Sequence, residues 1–196
     1  MAGYTFYGIQ ALFTIGADTL RQRLHEAIAA GGSDAEQSLA DKRAFWKRIV
    51  AIVLEAAARF DLGFWDYVSD PQRAEREFDQ WSSELEADTA TEKEEVGAAP
   101  NEAYRLSAKP EYVSLTVLFL LEKGSGSDGT VGERCDLPED TWWKRDTFAH
   151  LFETINQLSF STVKADAIYL VPGNAQDGLS WDDVHGGGWE YLKALT

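Results

Sequence analysis

The chain has 196 residues, with 18 Lys and Arg against 33 Asp and Glu, a formal charge of −15. Apolar residues make up 44% and aromatics 12%, enough for a packed core in one domain, which excludes intrinsic disorder as the main state. The negative charge excludes non-specific nucleic-acid binding, which needs Lys and Arg against phosphates, and disfavours attachment to an anionic membrane surface.

The first basic residue is Arg21, so the apolar stretch from Ile9 to Ala17 lacks the positive flank of a signal peptide. The most apolar runs, 112–121 and 49–58, are about ten residues each against the roughly 20 that span a bilayer, and read as core. No lipidation motif is visible. The single cysteine, Cys135, cannot form an internal disulfide, which fits a reducing compartment. The expected location is cytoplasmic, with no membrane insertion.

Taken in chain order, residues 4–15 mix aromatic and β-branched side chains and predict a strand, ended by Gly16. Asp18 caps a helix over 18–30, with Leu20, Leu24, Ala27 and Ile28 on one stripe, and Gly31-Gly32 stops it. A second helix over 41–60, in a region opening at Ser33-Asp34, places Trp46, Ile49, Val50, Val53, Leu54 and Ala57 on its inner face. Phe64-Trp65-Asp66-Tyr67-Val68 is a short aromatic segment without an assigned element. Asp70-Pro71 starts a third helix, over 71–86. From Glu84 to Asn101 the apolar pattern fades, which reads as a fraying helix or mobile connection between a helical half, about 1–100, and a sheet-rich half, about 101–196, of a single domain.

Residues 112–121 are apolar on both alternating sets, as in a central strand. Gly124-Ser-Gly-Ser-Asp-Gly129 reads as a flexible surface loop, since no lysine follows to make a phosphate-binding loop. A fourth helix follows over 145–158, then a strand over 165–171. Strand, helix, strand predicts a parallel βαβ pair with a right-handed crossover. Beyond it lie a helical turn at 180–184, Gly186-Gly-Gly188 and the stretch from Trp189 to Leu195. No internal repeat is visible. The expected fold is α+β: a small sheet of three principal strands, near 4–15, 112–121 and 165–171, with one parallel pair, packed against four helices.

The strand at Val113–Leu121, the helix ending Leu158-Ser159, the strand Ile168–Pro172, Asp177-Gly-Leu-Ser-Trp-Asp-Asp183 and the ending Tyr191-Leu-Lys-Ala-Leu195 resemble a domain family of unknown function from cyanobacterial and plastid proteins. That family often sits behind a membrane anchor, and its core helix ends in an aromatic patch similar to Phe64-Trp65-Asp66-Tyr67. This chain departs from the pattern in lacking the anchor and in having Gly186-Gly-Gly188. The family brings no established activity, so the resemblance implies an element order and an interaction role and carries over no site residue.

Four constellations carry candidate roles. Asp182, Asp183 and His185, with Asp177 nearby, could hold a divalent metal for a small metal-assisted hydrolase; the same stretch also reads as a Ser180-capped helix start with acids in its first turn. Cys135 beside Arg134 could be activated, with His150 or His185 as a base, although Asp136 opposes this and no family spacing supports it. His25 reads as a surface residue. Trp142, Trp143, Trp181 and Trp189 fall in or next to loops, where large aromatics either anchor interfaces or clamp loops onto a sheet edge. Acids from Glu84 to Glu95 read as a solvated face or a docking surface for a basic partner. The leading expectation is a non-enzymatic interaction module with no cofactor, taking a basic protein partner. The metal-assisted hydrolase and a small-ligand binder using the Trp142-Trp143 loop stand as alternatives.

Overall fold

The computed structural model describes residues 3–15, 19–31, 38–97 (backbone only over 87–97), 111–173, 179–185 and 188–196. The expected features at Gly16, Asp18, Gly32, Ser33-Asp34, Asp177 and Gly186-Gly187, the stretch 98–101, and the side chains of Asp88 to Glu95, lie outside the described residues.

The strands are β1 (Tyr4–Thr14), β2 (Phe60–Val68), β3 (Tyr112–Glu122), β4 (Val163–Val171) and the short β5 (Lys193–Ala194). They form one sheet in the order β4-β3-β1-β2-β5, and every neighbouring pair is antiparallel. The helices are α1 (Leu20–Ala30), α2 (Leu39–Glu55), α3 (Pro71–Gly97), α4 (Gly126–Cys135), α5 (Arg145–Thr154) and α6 (Trp181–His185).

This corrects the expected three-stranded sheet with a parallel pair. The reason is α4. Ser125 accepts a hydrogen bond from Asp128 N at 3.2 Å, and Asp128 Oδ2 accepts one from Gly124 N at 2.7 Å, so the glycine-rich stretch becomes a capped helix rather than a loop. Gly124 turns the chain with a φ of +79°, a conformation that favours glycine. The β3–β4 connection therefore holds two helices, and the chain returns to the end of β3 it left: Glu122 N donates to Thr162 O at 2.9 Å. A single helix would have returned it to the opposite end and made the strands parallel.

β2 is the second correction. The predicted helix over 41–60 stops at Glu55, a 3-10 turn occupies Ala57–Arg59, and Phe60 already belongs to the strand. The predicted helix over 71–86 continues as α3 to Gly97. Its later turns are rich in Ala and Glu, which favour helix without any apolar stripe.

The sheet carries a duplication that the sequence conceals. Pairing of β1 with β3 is symmetric about Ile9↔Val117, running from Tyr4↔Glu122 to Thr14↔Tyr112. On one side, β1 pairs with β2 from Phe6↔Val68 to Leu12↔Leu62, then slips so that Phe13 meets Phe60. On the other, β3 pairs with β4 from Ser114↔Val171 to Leu120↔Ala165, then slips at the equivalent place so that Leu121 meets Val163. The chain is thus two β-α-α-β-α units, β1-α1-α2-β2-α3 and β3-α4-α5-β4-α6, related by an approximate twofold axis between β1 and β3.

Side chains alternate between the two sheet faces. The first face carries Tyr7, Ile9, Ala11 and Phe13 of β1 with Val113, Leu115, Val117, Phe119 and Leu121 of β3, all buried. It is covered by α1, α2, α4 and α5, which supply Leu24, Trp46, Ile49, Val53, Val131, Phe148, Leu151 and Phe152. The bulge on each outer strand returns Phe60 and Val163 to this face.

Helices of each unit reach the outer strand of the other. From α4, Asp128 Oδ1 accepts the Tyr67 hydroxyl of β2 at 2.8 Å, and Phe148 of α5 sits on Gly63 of β2. From α2, Lys42 Nζ and Trp46 Nε1 donate to the two carboxylate oxygens of Asp166 on β4, at 2.7 and 2.9 Å.

The second face has two covers. α3 lies over Phe6, Val68, Leu118 and Leu120, with Trp81 edge-on to Phe6 at 5.4 Å. The C-terminal segment covers Leu12, Tyr112 and Val171 with Leu179, Val184 and Leu192.

Candidate functional site

The C-terminal segment is fixed to the sheet by backbone bonds. Leu179 and Tyr112 exchange N–H···O bonds at 2.9 Å in both directions, and Glu111 N donates to Leu179 O at 2.8 Å. Ser180 then starts α6. Asp183 N donates to Ser180 Oγ at 3.1 Å, while Asp183 Oδ2 accepts both the Ser180 N–H and its hydroxyl at 2.7 Å. This reciprocal capping box explains a one-turn helix in so short a stretch.

The box aims Trp181 outward. Its backbone N–H donates to Glu111 Oε2 at 3.1 Å. Its ring lies on the His185 imidazole at a centroid distance of 3.5 Å and an angle of 17°. His185 Nδ1 is 2.9 Å from Trp181 O, so it donates to that carbonyl. Trp181 nevertheless remains 53% exposed.

Further along, Tyr191 is 45% exposed, although its hydroxyl donates to Gln10 Oε1 at 2.7 Å and its ring meets Phe64 edge-on at 5.9 Å. The end of the chain is stitched down on the far edge. Leu195 N donates to Asp61 O, Thr196 N to Trp143 O and Arg145 N to Thr196 O, at 2.8, 3.1 and 3.0 Å.

Of the four candidate tryptophans, three serve packing. Trp142 donates its Nε1–H to Leu137 O at 2.8 Å and meets Trp65 edge-on at 6.0 Å. Trp65 in turn donates to Trp142 O at 3.2 Å. Trp143 stacks on Phe64 at 6.1 Å, and Trp189 packs against the C-terminal cluster. Trp142 and Trp143, whose loop the small-ligand alternative invokes, make these ring contacts with Trp65 and Phe64. Only Trp181, of the four, keeps its indole exposed.

The acidic triplet is also divided. Asp183 is committed to its capping box, His185 to Trp181, and Asp182 is exposed. Among the described residues no group of three or more His, Cys, Asp or Glu side chains could hold a metal ion.

Burial, with a contribution from Asp66, pushes the Cys135 thiol up to about 12. It therefore stays protonated near neutral pH, the opposite of an activated nucleophile. His150 Nδ1 lies 3.2 Å from the Arg134 guanidinium, which can only donate, so this nitrogen accepts. His25 is half-buried rather than on the surface.

One feature of the second face escaped the sequence reading. Between its two apolar covers lies a buried polar row. Gln10 is across from Thr116, Gln10 Nε2 donates to Ser114 Oγ at 3.3 Å, and Thr116 Oγ1 has no hydrogen-bond partner among the described residues. The signal was present as polar residues at every second position of β3, Ser114 and Thr116, within an otherwise apolar run.

No helix among the described residues is long and apolar enough to cross a membrane. Compared with protein-family models, curated proteins and solved structures, the chain matches none.

Proposed function

We propose that this protein is a binding module for a basic protein partner, and that its recognition surface is formed by residues 179–185 and 188–192 of the C-terminal segment. The observation that carries this reading is Trp181: a large aromatic, 53% exposed, on a backbone held by the Asp183 capping box and by Glu111. Exposed aromatics on preorganised backbone are the usual anchors of protein interfaces, because little conformational entropy is lost when they are buried. Acidic neighbours support the choice of partner. Asp182 and Glu190 are exposed beside Trp181 and Tyr191, and the chain as a whole carries −15, a field that speeds encounter with a basic surface.

Affinity capture from extract, eluted with a salt gradient and run in parallel with Trp181→Ala, tests the reading. Wild-type protein is expected to retain a basic partner at low salt, release it as ionic strength rises, and lose it on substitution. Retention of the same partner by Trp181→Ala, or elution indifferent to salt, would refute it.

A further inference from the structure

The duplicated register makes the two outer strands equivalent, yet their outer edges are treated differently. On β2 that edge is completed by the chain's own end: Leu62 and Gly63 pair with Ala194 and Lys193, and Leu195 N donates to Asp61 O. Asp61 and Gly63 therefore turn their backbone groups outward, toward β5. The matching positions on β4 are Lys164 and Asp166, and alternation continues the outward set to Ile168 and Leu170. Among the described residues β4 pairs only with β3, and its outward backbone groups form no hydrogen bond.

We propose that the outer edge of β4, from Asp166 to Leu170, accepts an extended segment of a partner protein as a sixth strand, in the way β2 accepts β5. Added strands bind through main-chain hydrogen bonds, with specificity from alternate side chains. The seated β5 shows what chemistry such an edge takes. Leu192 and Leu195 are buried while Lys193 and Ala194 between them stay exposed, so the occupant is a short segment with apolar residues flanking a basic and a small one. A basic segment also suits a chain of net charge −15, whereas pairing with a second copy would bring two such charges together.

The edge carries two devices that discourage unselective pairing. These are the bulge between Leu120 and Leu121 opposite Lys164, and the inward-pointing Asp166 carboxylate held by Lys42 and Trp46. Both lie at its beginning and leave the stretch to Leu170 regular.

Amide hydrogen exchange by NMR on the full chain, with and without a C-terminally amidated synthetic peptide of the sequence of residues 191–196, whose one charged side chain is Lys193, tests the proposal. The amides of Asp166, Ile168 and Leu170 are expected to exchange at least tenfold more slowly with peptide, while the ladder amides of Ala167 and Tyr169 stay unchanged. The same peptide N-methylated at alternate positions is expected to have no effect. Trp181→Ala is expected to keep the slowing, which separates this edge from the C-terminal surface. Unchanged exchange at those three amides, slowing confined to Asp61 and Gly63, loss of the effect in Trp181→Ala, or dimers in which the same amides are already protected would each overturn the proposal.

Discussion

Tyr67 on β2 donates its hydroxyl to Asp128 Oδ1 at 2.8 Å, and the other oxygen of that carboxylate closes the first turn of α4 by accepting Gly124 N. One side-chain pair thus ties the second unit's first helix to the first unit's outer strand. Burial, then the hydrogen bond and charge of Asp128, push the Tyr67 phenol well above its usual range. Burial raises Tyr7 in the same way, and Cys135 to about 12.

These three acids give the protein an alkaline limit. Each holds its proton more tightly in the folded chain than in the unfolded one. The stability they contribute is therefore whole below about pH 9 and is lost as pH rises through the folded-state values. Urea midpoints are expected to stay level from about pH 7 to 8.5 and then fall. Tyr67→Phe should cost about 1 kcal/mol at neutral pH and make the decline above about pH 10 shallower. A midpoint that rises with pH in this range would contradict the assignment.

Asp66 has the opposite sign of usefulness. Burial, with Glu77 adding repulsion, raises its carboxyl above the usual range, so its charge opposes folding at neutral pH. Asp66→Asn is expected to raise the melting temperature at pH 7, by less than about 1 kcal/mol of stability. The gain should shrink to nothing near pH 3, where both side chains are neutral. Equal gains at both pH values would point to a cause other than ionisation.

Two glycines separate packing from propensity. A Cβ at Gly63 would clash with Phe148 Cε1 and lie 3.1 Å from Gln10 O, and the Phe148 ring is fully buried. Gly63→Ala should cost about 1–3 kcal/mol by overpacking. At Gly129 in α4 nothing lies within 4 Å of the added carbon, and alanine there should stabilise by about 0.5–1 kcal/mol. Thermal melts of the two variants should move in opposite directions.

Because each unit's helices pack on the other's outer strand, neither half should unfold alone. Tryptophan fluorescence and far-UV circular dichroism are expected to give one coincident urea transition. Two separated transitions would mean that the Asp128, Phe148 and Asp166 contacts do not couple the halves.

Much of this was legible in the chain and some was not. α1, α2 and α5 announced themselves by apolar residues at helical spacing, β1 by its mix of aromatic and β-branched residues, and β3 by a run that is apolar but for Ser114 and Thr116. β2 did not, because Phe60 continues the stripe of α2 and its bulge breaks the alternation. α4 did not, because its cap is a Ser-x-x-Asp signal inside a glycine-rich stretch, secured by Tyr67 from a distant strand. Trp142 and Trp143 make packing contacts that no local pattern predicts, since β2 brings Trp65 and Phe64 to them from a distant part of the chain.

The sequence by itself determined composition, charge, the amphipathic helices, the central strands and the Ser180 cap, because each depends on neighbours a few positions away. Strand direction, the shared bulges, the duplication and the exposure of Trp181 were decided only by tertiary structure. They depend on which residues far apart in the chain meet across the sheet, and a one-helix misreading of the β3–β4 connection reverses a strand.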